Sequence, residues 1–339
     1  MSGVKVENSN THFRSVYESN LADKKPVLFM MVGLPGSGKS YLAETIDVKR
    51  DGEIYTPVVI SSDAIRKELY DDRNNQDNNA KLFAELHRRI KENLFNGIDV
   101  VYDATNVSKK RRIAFLQELS NIDCHKVCVC VMTPYELVLR QNKNRERKVP
   151  QQSIRKMYLN WCPPASGEGF DNVILAYNYG DTNREKYTLE NFFEGEIGAN
   201  YIRHDNKHHS LSIGGHCIAA ANYVMEHYPD NLALKTAALL HDIGKVFTKS
   251  HLNSRGEATD ECHYYNHQNC GSYDSMFYLD MLNVPSTDRL HIANLIYYHM
   301  QPFRAWSQSE KAKNRDIARI GEAFYNEVMM LHEADLAAH

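Results

Sequence analysis

The sequence predicts an α/β domain, a parallel sheet flanked by helices, followed by an all-α domain. Three observations lead there. In the first half, short apolar runs ending at glycine or a polar residue alternate with stretches of helical spacing. Near residue 195 the strand pattern stops and helical spacing takes over. Histidine divides in the same way: of 16 in the chain, only His12, His87 and His125 precede residue 200. Imidazole is the commonest side-chain ligand for transition metals, so the asymmetry predicts two chemistries in two halves. With 339 residues, each half can bury its own core. The boundaries read as a polar tail over 1–25 with no assignable function, an α/β domain over 26–194 and a helical domain over 195–339.

The first strand is "PVLFMMVG", a continuous apolar run of the kind buried on both faces of a parallel sheet. It leads into Gly33-Leu-Pro-Gly-Ser-Gly-Lys-Ser40, a complete GxxxxGK[ST] motif with a helix expected after it. Gly33, Gly36, Ser37 and Gly38 let successive backbone N–H groups converge on phosphate oxygens. Lys39 offers a point charge to the β and γ phosphates, and the Ser40 hydroxyl can ligate Mg²⁺. ATP and Mg²⁺ are therefore the expected ligands of this half.

The second strand, "TPVVISSD", ends at Asp63, with Arg66 one helical turn on. Phosphoryl transfer to a hydroxyl needs a carboxylate for the acceptor proton and cations for the moving group. Asp63 fits that role, and it fits a plain helix N-cap equally well. Leu82, Phe83, Leu86, Ile90 and Leu94 then recur at helical spacing, with Gly97 as the stop. "GIDVVYDATN" is the third strand; Asp103 at its tip can hold Mg²⁺ through water or simply form a turn. In the fourth, "HKVCVCVMT", Cys128 and Cys130 alternate with valine, which reads as buried strand and not as a metal site. Arg140, Arg145 and Arg147 follow in "LRQNKNRERKVP", either a solvated basic helix or a mobile lid that brings cations to a phosphoryl group. "DNVILAY" is the fifth strand.

Four of these pieces, "GLPGSGKS", "SSDAIR", "YDATN…KRR" and "NRERKVP…EGFD", occur in the order and approximate spacing of the P-loop 5′-polynucleotide kinases of phages and bacteria, and residues 26 to about 180 resemble that family. The resemblance implies transfer of the ATP γ-phosphate to a 5′-hydroxyl end of RNA or DNA. It also implies that Lys39 and Ser40 hold ATP and Mg²⁺, Asp63 is the general base, Arg66 lies near the acceptor, Asp103 supports the metal and Arg145 is a lid arginine.

Helices are expected over "GGHCIAAANYVMEHY", "NLALKTAALLHDIGK", "CGSYDSMFYLDML", "TDRLHIANLIYYHM" and "AFYNEVMMLHEADLAAH". On these apolar stretches stand His216, His241, Asp242, His299 and Asp335, with His267 just before a helix. Buried Asp and His are costly unless paired or bound to a cation, and a divalent ion satisfies several at once. Gly244 is expected to let the chain leave its helix sharply, leaving Lys245 near the metal for an anionic substrate. His208 and His209 could also contact phosphate, but an exposed polar pair is the simpler reading.

The ordered set His216, His241-Asp242, Asp335 resembles the His-Asp (HD) metal-dependent phosphohydrolase superfamily over residues 203 to 339, with His267 and His299 in the places of second-metal ligands. The resemblance implies hydrolysis of a phosphoester with one or two ions among Mn²⁺, Fe²⁺, Co²⁺, Ni²⁺ and Zn²⁺, and Asp242 and Lys245 as catalytic residues. Together the halves predict an end-healing enzyme. One half would phosphorylate 5′-hydroxyl ends and the other would remove 2′,3′-cyclic phosphate and 3′(2′)-phosphate, with RNA, tRNA included, favoured over DNA and a ligase acting downstream. Two alternatives stay open: a nucleoside or small-molecule kinase with an HD nucleotide phosphohydrolase, and a kinase with an HD sensor module.

Composition sets limits on these readings. A formal charge of −3 argues against a broad nucleic-acid-coating field, so any such contact needs a local basic patch. Seven cysteines without a CxxC pair do not read as a disulfide framework. No apolar run approaches the roughly 20 residues that span a bilayer, and the N-terminus lacks a secretory apolar core, so no membrane partner and a cytoplasmic location are expected.

Overall fold

The five apolar runs of the first half assemble into one sheet. The computed structural model describes residues 15–18, 24–70, 79–205 and 210–338; His208 and His209 lie outside them. Within the first half the elements are β1 (Ser15–Glu18), β2 (Val27–Val32), α1 (Lys39–Ala43), β3 (Ile46–Arg50), β4 (Glu53–Tyr55), β5 (Val58–Ser61), α2 (Ser62–Tyr70), α3 (Asn79–Phe95), β6 (Val100–Asp103), α4 (Lys109–Glu118), β7 (His125–Met132), α5 (Tyr135–Lys143), α6 (Gln151–Tyr158) and β8 (Asn172–Tyr177). The main sheet has the order β5-β6-β2-β7-β8, and every neighbouring pair is parallel. All six residues of β2 are buried, as a central strand with both faces covered requires. Cys128 and Cys130 are buried on β7, and α3 buries Leu82, Leu86, Ile90 and Leu94 on one stripe before Gly97, at φ +76°, ends it.

Because the chain leaves β2 toward β5 and β6 on one side and reaches β7 and β8 on the other, the strand order switches at β2. Ligands in such sheets bind at the carboxyl ends beside that point. A second sheet, β1-β3-β4, was not expected: Ser15–Glu18, part of the predicted tail, pairs in parallel with Ile46–Arg50.

Among the described residues the second half is mainly helical, with α7 (Leu189–Phe193), α8 (Ile213–His227), α9 (Leu232–Leu240), α10 (Lys245–Thr248), α11 (His267–Met281), α12 (Ser286–Tyr298), α13 (Ala305–Gln308), α14 (Glu310–Ile320) and α15 (Glu322–Ala337). Its core joins Cys217, Ala220 and Val224 of α8, Leu234, Ala237 and Leu240 of α9, Tyr278 and Leu279 of α11, Ile292 and Leu295 of α12, and Val328 and Leu331 of α15. An all-α fold is not quite what forms. Between α10 and α11 the antiparallel strands β9 (Ser250–Leu252) and β10 (Ala258–His263) make a hairpin.

By contact the chain divides into one unit of 1–154 with 168–180 and another of 155–167 with 181–339. Residues 155–167 and 181–194, read from the sequence as part of the first domain, thus pack with the second. Aromatic burial explains the first segment: Tyr158 and Trp161 set their rings edge-on to Tyr273 of α11, with centroids 5.5 and 5.1 Å away.

Candidate functional site

In the second unit, six side chains from five parts of the chain meet. His216 comes from α8, His241 caps α9, Asp242 follows it, His267 opens α11, His299 caps α12 and Asp335 is in the last turn of α15. All six are buried. The four histidines share one construction. Each Nδ1 is bonded to a backbone carbonyl: His216 to Ala338 at 3.0 Å, His241 to Ala238 at 2.7 Å, His267 to Tyr264 at 2.8 Å and His299 to Ile296 at 2.6 Å. A carbonyl only accepts, so Nδ1 carries the proton and Nε2 is left to face inward as a donor atom for a cation.

The Nε2 atoms form two pairs. His216 and His241 stand 3.2 Å apart, as His267 and His299 do at 3.1 Å. Asp242 joins them. Its Oδ2 is 3.5 Å from both nitrogens of the first pair, and its Oδ1 is 3.4 and 3.8 Å from those of the second. Asp335 Oδ1 adds to the first pair, 3.0 Å from His216 and 3.7 Å from His241. Two groups of atoms that could hold a metal ion result, His216-His241-Asp242 and Asp242-His267-His299, with Asp242 common to both.

The electrostatics fit a cation. Burial pushes His267 down to about 4 and His299 to about 3, so both imidazoles are neutral at physiological pH. Burial opposes charge on Asp242 and Asp335 too. Lys245 and the surrounding histidines outweigh it at Asp242, as His216 and His241 do at Asp335, and both carboxyls lie well below the usual range. At His241, burial is overcome by Asp242 and Asp335, which raise its pKa well above normal. The donor set, imidazole with carboxylate, suits Mn²⁺, Fe²⁺, Co²⁺, Ni²⁺ or Zn²⁺.

Of two further expectations in this region, the one for Gly244 changes. Lys245 Nζ lies 2.6 Å from Asp242 Oδ2, so it holds the shared carboxylate as well as facing the centre. Gly244 is in ordinary helical conformation, φ −67° and ψ −19°, and makes no sharp exit. It is glycine because α11 comes so close: a Cβ there would stand 2.0 Å from the carbonyl oxygen of His267.

In the first unit the GxxxxGK[ST] loop joins β2 to α1 at the switch point. Gly36 and Gly38 have φ of +85° and +91°, where a side chain is strained. Lys39 is buried and its Nζ donates to Leu34 O at 2.7 Å. Burial is the largest influence on it and brings its pKa down to about 8, against the attraction of Asp103. Ser40 Oγ donates to Asp103 Oδ2 at 2.7 Å, so the hydroxyl and the carboxylate expected at Mg²⁺ already touch. Asp63 lies inside the first turn of α2, and the capping falls to Ser61, whose Oγ accepts from the Asp63 N–H at 3.2 Å. The Asp63 carboxylate is thereby left to Arg147 Nη1, which pairs with Oδ1, and Arg145 Nη2, 3.6 Å from Oδ2. Arg66 is buried and donates to Asn79 Oδ1 at 3.0 Å. Arg140 is exposed, so Arg145 and Arg147 are the two arginines of the run that reach Asp63.

Residues 28–164 match the family described as AAA domain. An L-seryl-tRNA(Sec) kinase of Methanococcus maripaludis is 26% identical over 151 residues, 43% of this chain and 56% of the relative. The chain thus spans about half the length of the curated relative it matches. A crystal structure of a candidate kinase from Chloroflexus aurantiacus aligns over 46% of this chain and 89% of its own at 14% identity, with a TM-score of 0.36. The Pnkp1/Rnl/Hen1 RNA repair complex aligns over 42% of this chain and 45% of its own at 22% identity, with a TM-score of 0.32. The first unit is a P-loop fold, a parallel sheet with flanking helices.

Several residues that shape this phosphate loop carry no signal in the sequence. Thr133 Oγ1 and Asn178 Nδ2 both donate to Ser37 O, at 2.8 and 3.1 Å, and fix the loop from β7 and β8. Asn142 exchanges two hydrogen bonds with the Val149 backbone, at 2.9 and 3.0 Å, and so closes the segment that carries Arg145 and Arg147. The "KRR" and "EGFD" pieces meet as structure: Arg112 and Glu168 form a buried bidentate pair, with both hydrogen bonds 2.7 Å long. Among the described residues no helix is long and apolar enough to cross a membrane, and all seven cysteines are free and buried.

Proposed function

We propose that the chain is a cytoplasmic bifunctional nucleic-acid end-healing enzyme. Its P-loop unit transfers the ATP γ-phosphoryl group to 5′-hydroxyl ends, and its HD phosphohydrolase unit hydrolyses 2′,3′-cyclic phosphate and 3′(2′)-phosphate ends, with RNA favoured, tRNA included, and a ligase consuming the products. The observation that carries this reading is the meeting of six side chains from five parts of the chain, Asp242 among them, in a chain that also holds a complete P-loop with Ser40 on Asp103. One unit makes phosphoesters and the other breaks them, and damaged ends need both.

For the transfer, Lys39 faces the β and γ phosphates, and Ser40 with Asp103 holds Mg²⁺. Asp63 accepts the proton of the acceptor hydroxyl. That hydroxyl's oxygen bonds to the γ-phosphorus while the bond from phosphorus to the β,γ-bridging oxygen breaks and ADP leaves. Arg147 and Arg145 now sit on Asp63, so the acceptor takes their place and frees two guanidinium groups to meet the charge on the moving phosphoryl. In the other unit, His216, His241, Asp242 and Asp335 would hold one ion and Asp242, His267 and His299 a second. When bound, such ions supply the Lewis acidity that makes water a nucleophile near neutral pH. Asp242 aligns the two groups, and Lys245, fixed beside it, binds the phosphate anion.

A short RNA with a 5′-hydroxyl and a 2′,3′-cyclic phosphate, incubated with ATP, Mg²⁺ and Mn²⁺ or Ni²⁺, tests both activities when each end is followed separately. Lys39→Ala is expected to abolish 5′ phosphorylation and keep 3′ processing, and Asp242→Ala to do the reverse. Consumption of free nucleotides with neither RNA end changed would contradict the proposal. The seryl-tRNA kinase relative favours a second reading of the acceptor, a hydroxyl carried on tRNA in place of a 5′ end. Labelling of seryl-tRNA with no labelling of 5′-hydroxyl RNA would select it.

A further inference from the structure

Beside the His-Asp centre, the hairpin returns to α11 through His263-Tyr264-Tyr265, and the three side chains divide between two directions. Tyr264 is turned to the centre. Its hydroxyl donates to the backbone carbonyl of His204, its ring lies 5.7 Å from Lys245 Nζ, and its own carbonyl accepts from His267 Nδ1. The flanking side chains pair with each other: the His263 and Tyr265 rings are stacked, with centroids 5.3 Å apart and planes at 11°. Tyr265 is 41% exposed and His263 half-buried, and His263 Nε2 is held by Thr259 Oγ1 at 3.0 Å. The result is an ordered aromatic surface two residues from His267 and anchored at its midpoint to the residue that orients that ligand.

We infer that His263 and Tyr265 form a stacking platform for the terminal nucleobase of a nucleic-acid end whose phosphate lies at the His-Asp centre. The inference rests on the phosphohydrolase reading of that centre and names what selects its substrate. Every base has a π-face, so stacking on an aromatic ring gives affinity without sequence preference, as a general end-processing site requires. The strand ends at His263, and in the turn that follows the Tyr264 ring lies by Lys245 while Tyr265 stacks on His263, so Tyr264 can serve the phosphate while His263 and Tyr265 serve the base. The two rings are already parallel, so little ordering is left for the ligand to bring about.

The test uses the full chain loaded with Mn²⁺ and a short RNA labelled at its 5′ end with fluorescein, which also blocks that end from the P-loop unit. Its 3′ end carries a methylenephosphonate, whose carbon–phosphorus bond hydrolysis does not break. Anisotropy compares an RNA whose last nucleotide bears a base with one whose last nucleotide is abasic. The wild type is expected to bind the base-bearing end roughly ten-fold more tightly. The double variant His263→Ala/Tyr265→Ala is expected to lose that difference, and Tyr265→Phe, which keeps the ring, to retain it. Equal binding of the two ends by the wild type, or an undiminished preference in the double variant, overturns the platform. Hydrolysis of a 2′,3′-cyclic phosphate end is followed in parallel. Base-dependent binding without hydrolysis by any metal-loaded form removes the phosphohydrolase reading and leaves the platform standing.

Discussion

Burial brings the Lys39 ammonium down to about 8, so its charge is present below that pH and lost as pH rises through it. ATP is a polyanion and favours the charged form. Its affinity is therefore expected to fall between pH 7 and pH 9, as read by titration calorimetry, and Lys39→Ala is expected to bind weakly at both values with most of that dependence gone. Asp242 makes a sharper prediction in the other unit because its two oxygens face different histidine pairs. The wild type is expected to retain two transition-metal ions per chain by elemental analysis. His267→Ala is expected to keep one, and Asp242→Ala to lose both.

Elements hold these residues in place through contacts that can be broken singly. Arg112 of α4 and Glu168 have side chains 0% and 1% exposed. Glu168→Ala leaves a guanidinium buried without its carboxylate, and denaturant unfolding should show the first unit weakened by about 3–5 kcal/mol. Gly244 brings α10 against α11 with no room for a methyl group, since a Cβ would meet His267 O at 2.0 Å. Gly244→Ala is expected to cost about 3 kcal/mol. It should also lower metal content, because the displaced carbonyl belongs to His267, a proposed ligand. A drop in stability with both ions retained would mean that the α10–α11 contact does not position His267.

At the scale of the molecule, the two units should answer to different ligands. A ligand stabilises only what it binds. Chelation is thus expected to lower the unfolding midpoint of the helical unit alone, and ATP with Mg²⁺ to raise that of the P-loop unit alone, in a calorimetric scan. Much of the fold was legible in the sequence, for physical reasons. Strands buried on both faces must be continuous apolar runs, and each of the five runs became a strand of the main sheet. The six residues expected at a metal stood out because buried His and Asp are costly one at a time, and the structure brings their side chains together. Features set by tertiary packing were not legible. Tyr158 and Trp161 leave the first unit for Tyr273, and nothing local records that choice. Asn142, Thr133 and Asn178 act through backbone atoms far along the chain, so their residue types alone give no sign of it. Gly244 misled for a similar reason, since glycine at a helix end suggests an exit and here answers a close neighbour.

Anomalous scattering from crystals grown with Mn²⁺ tests the metal centre most directly. Two peaks are expected in the helical unit, one among His216, His241, Asp242 and Asp335 and one among Asp242, His267 and His299. No peak within reach of Asp242, with the six side chains ordered as described, would contradict it.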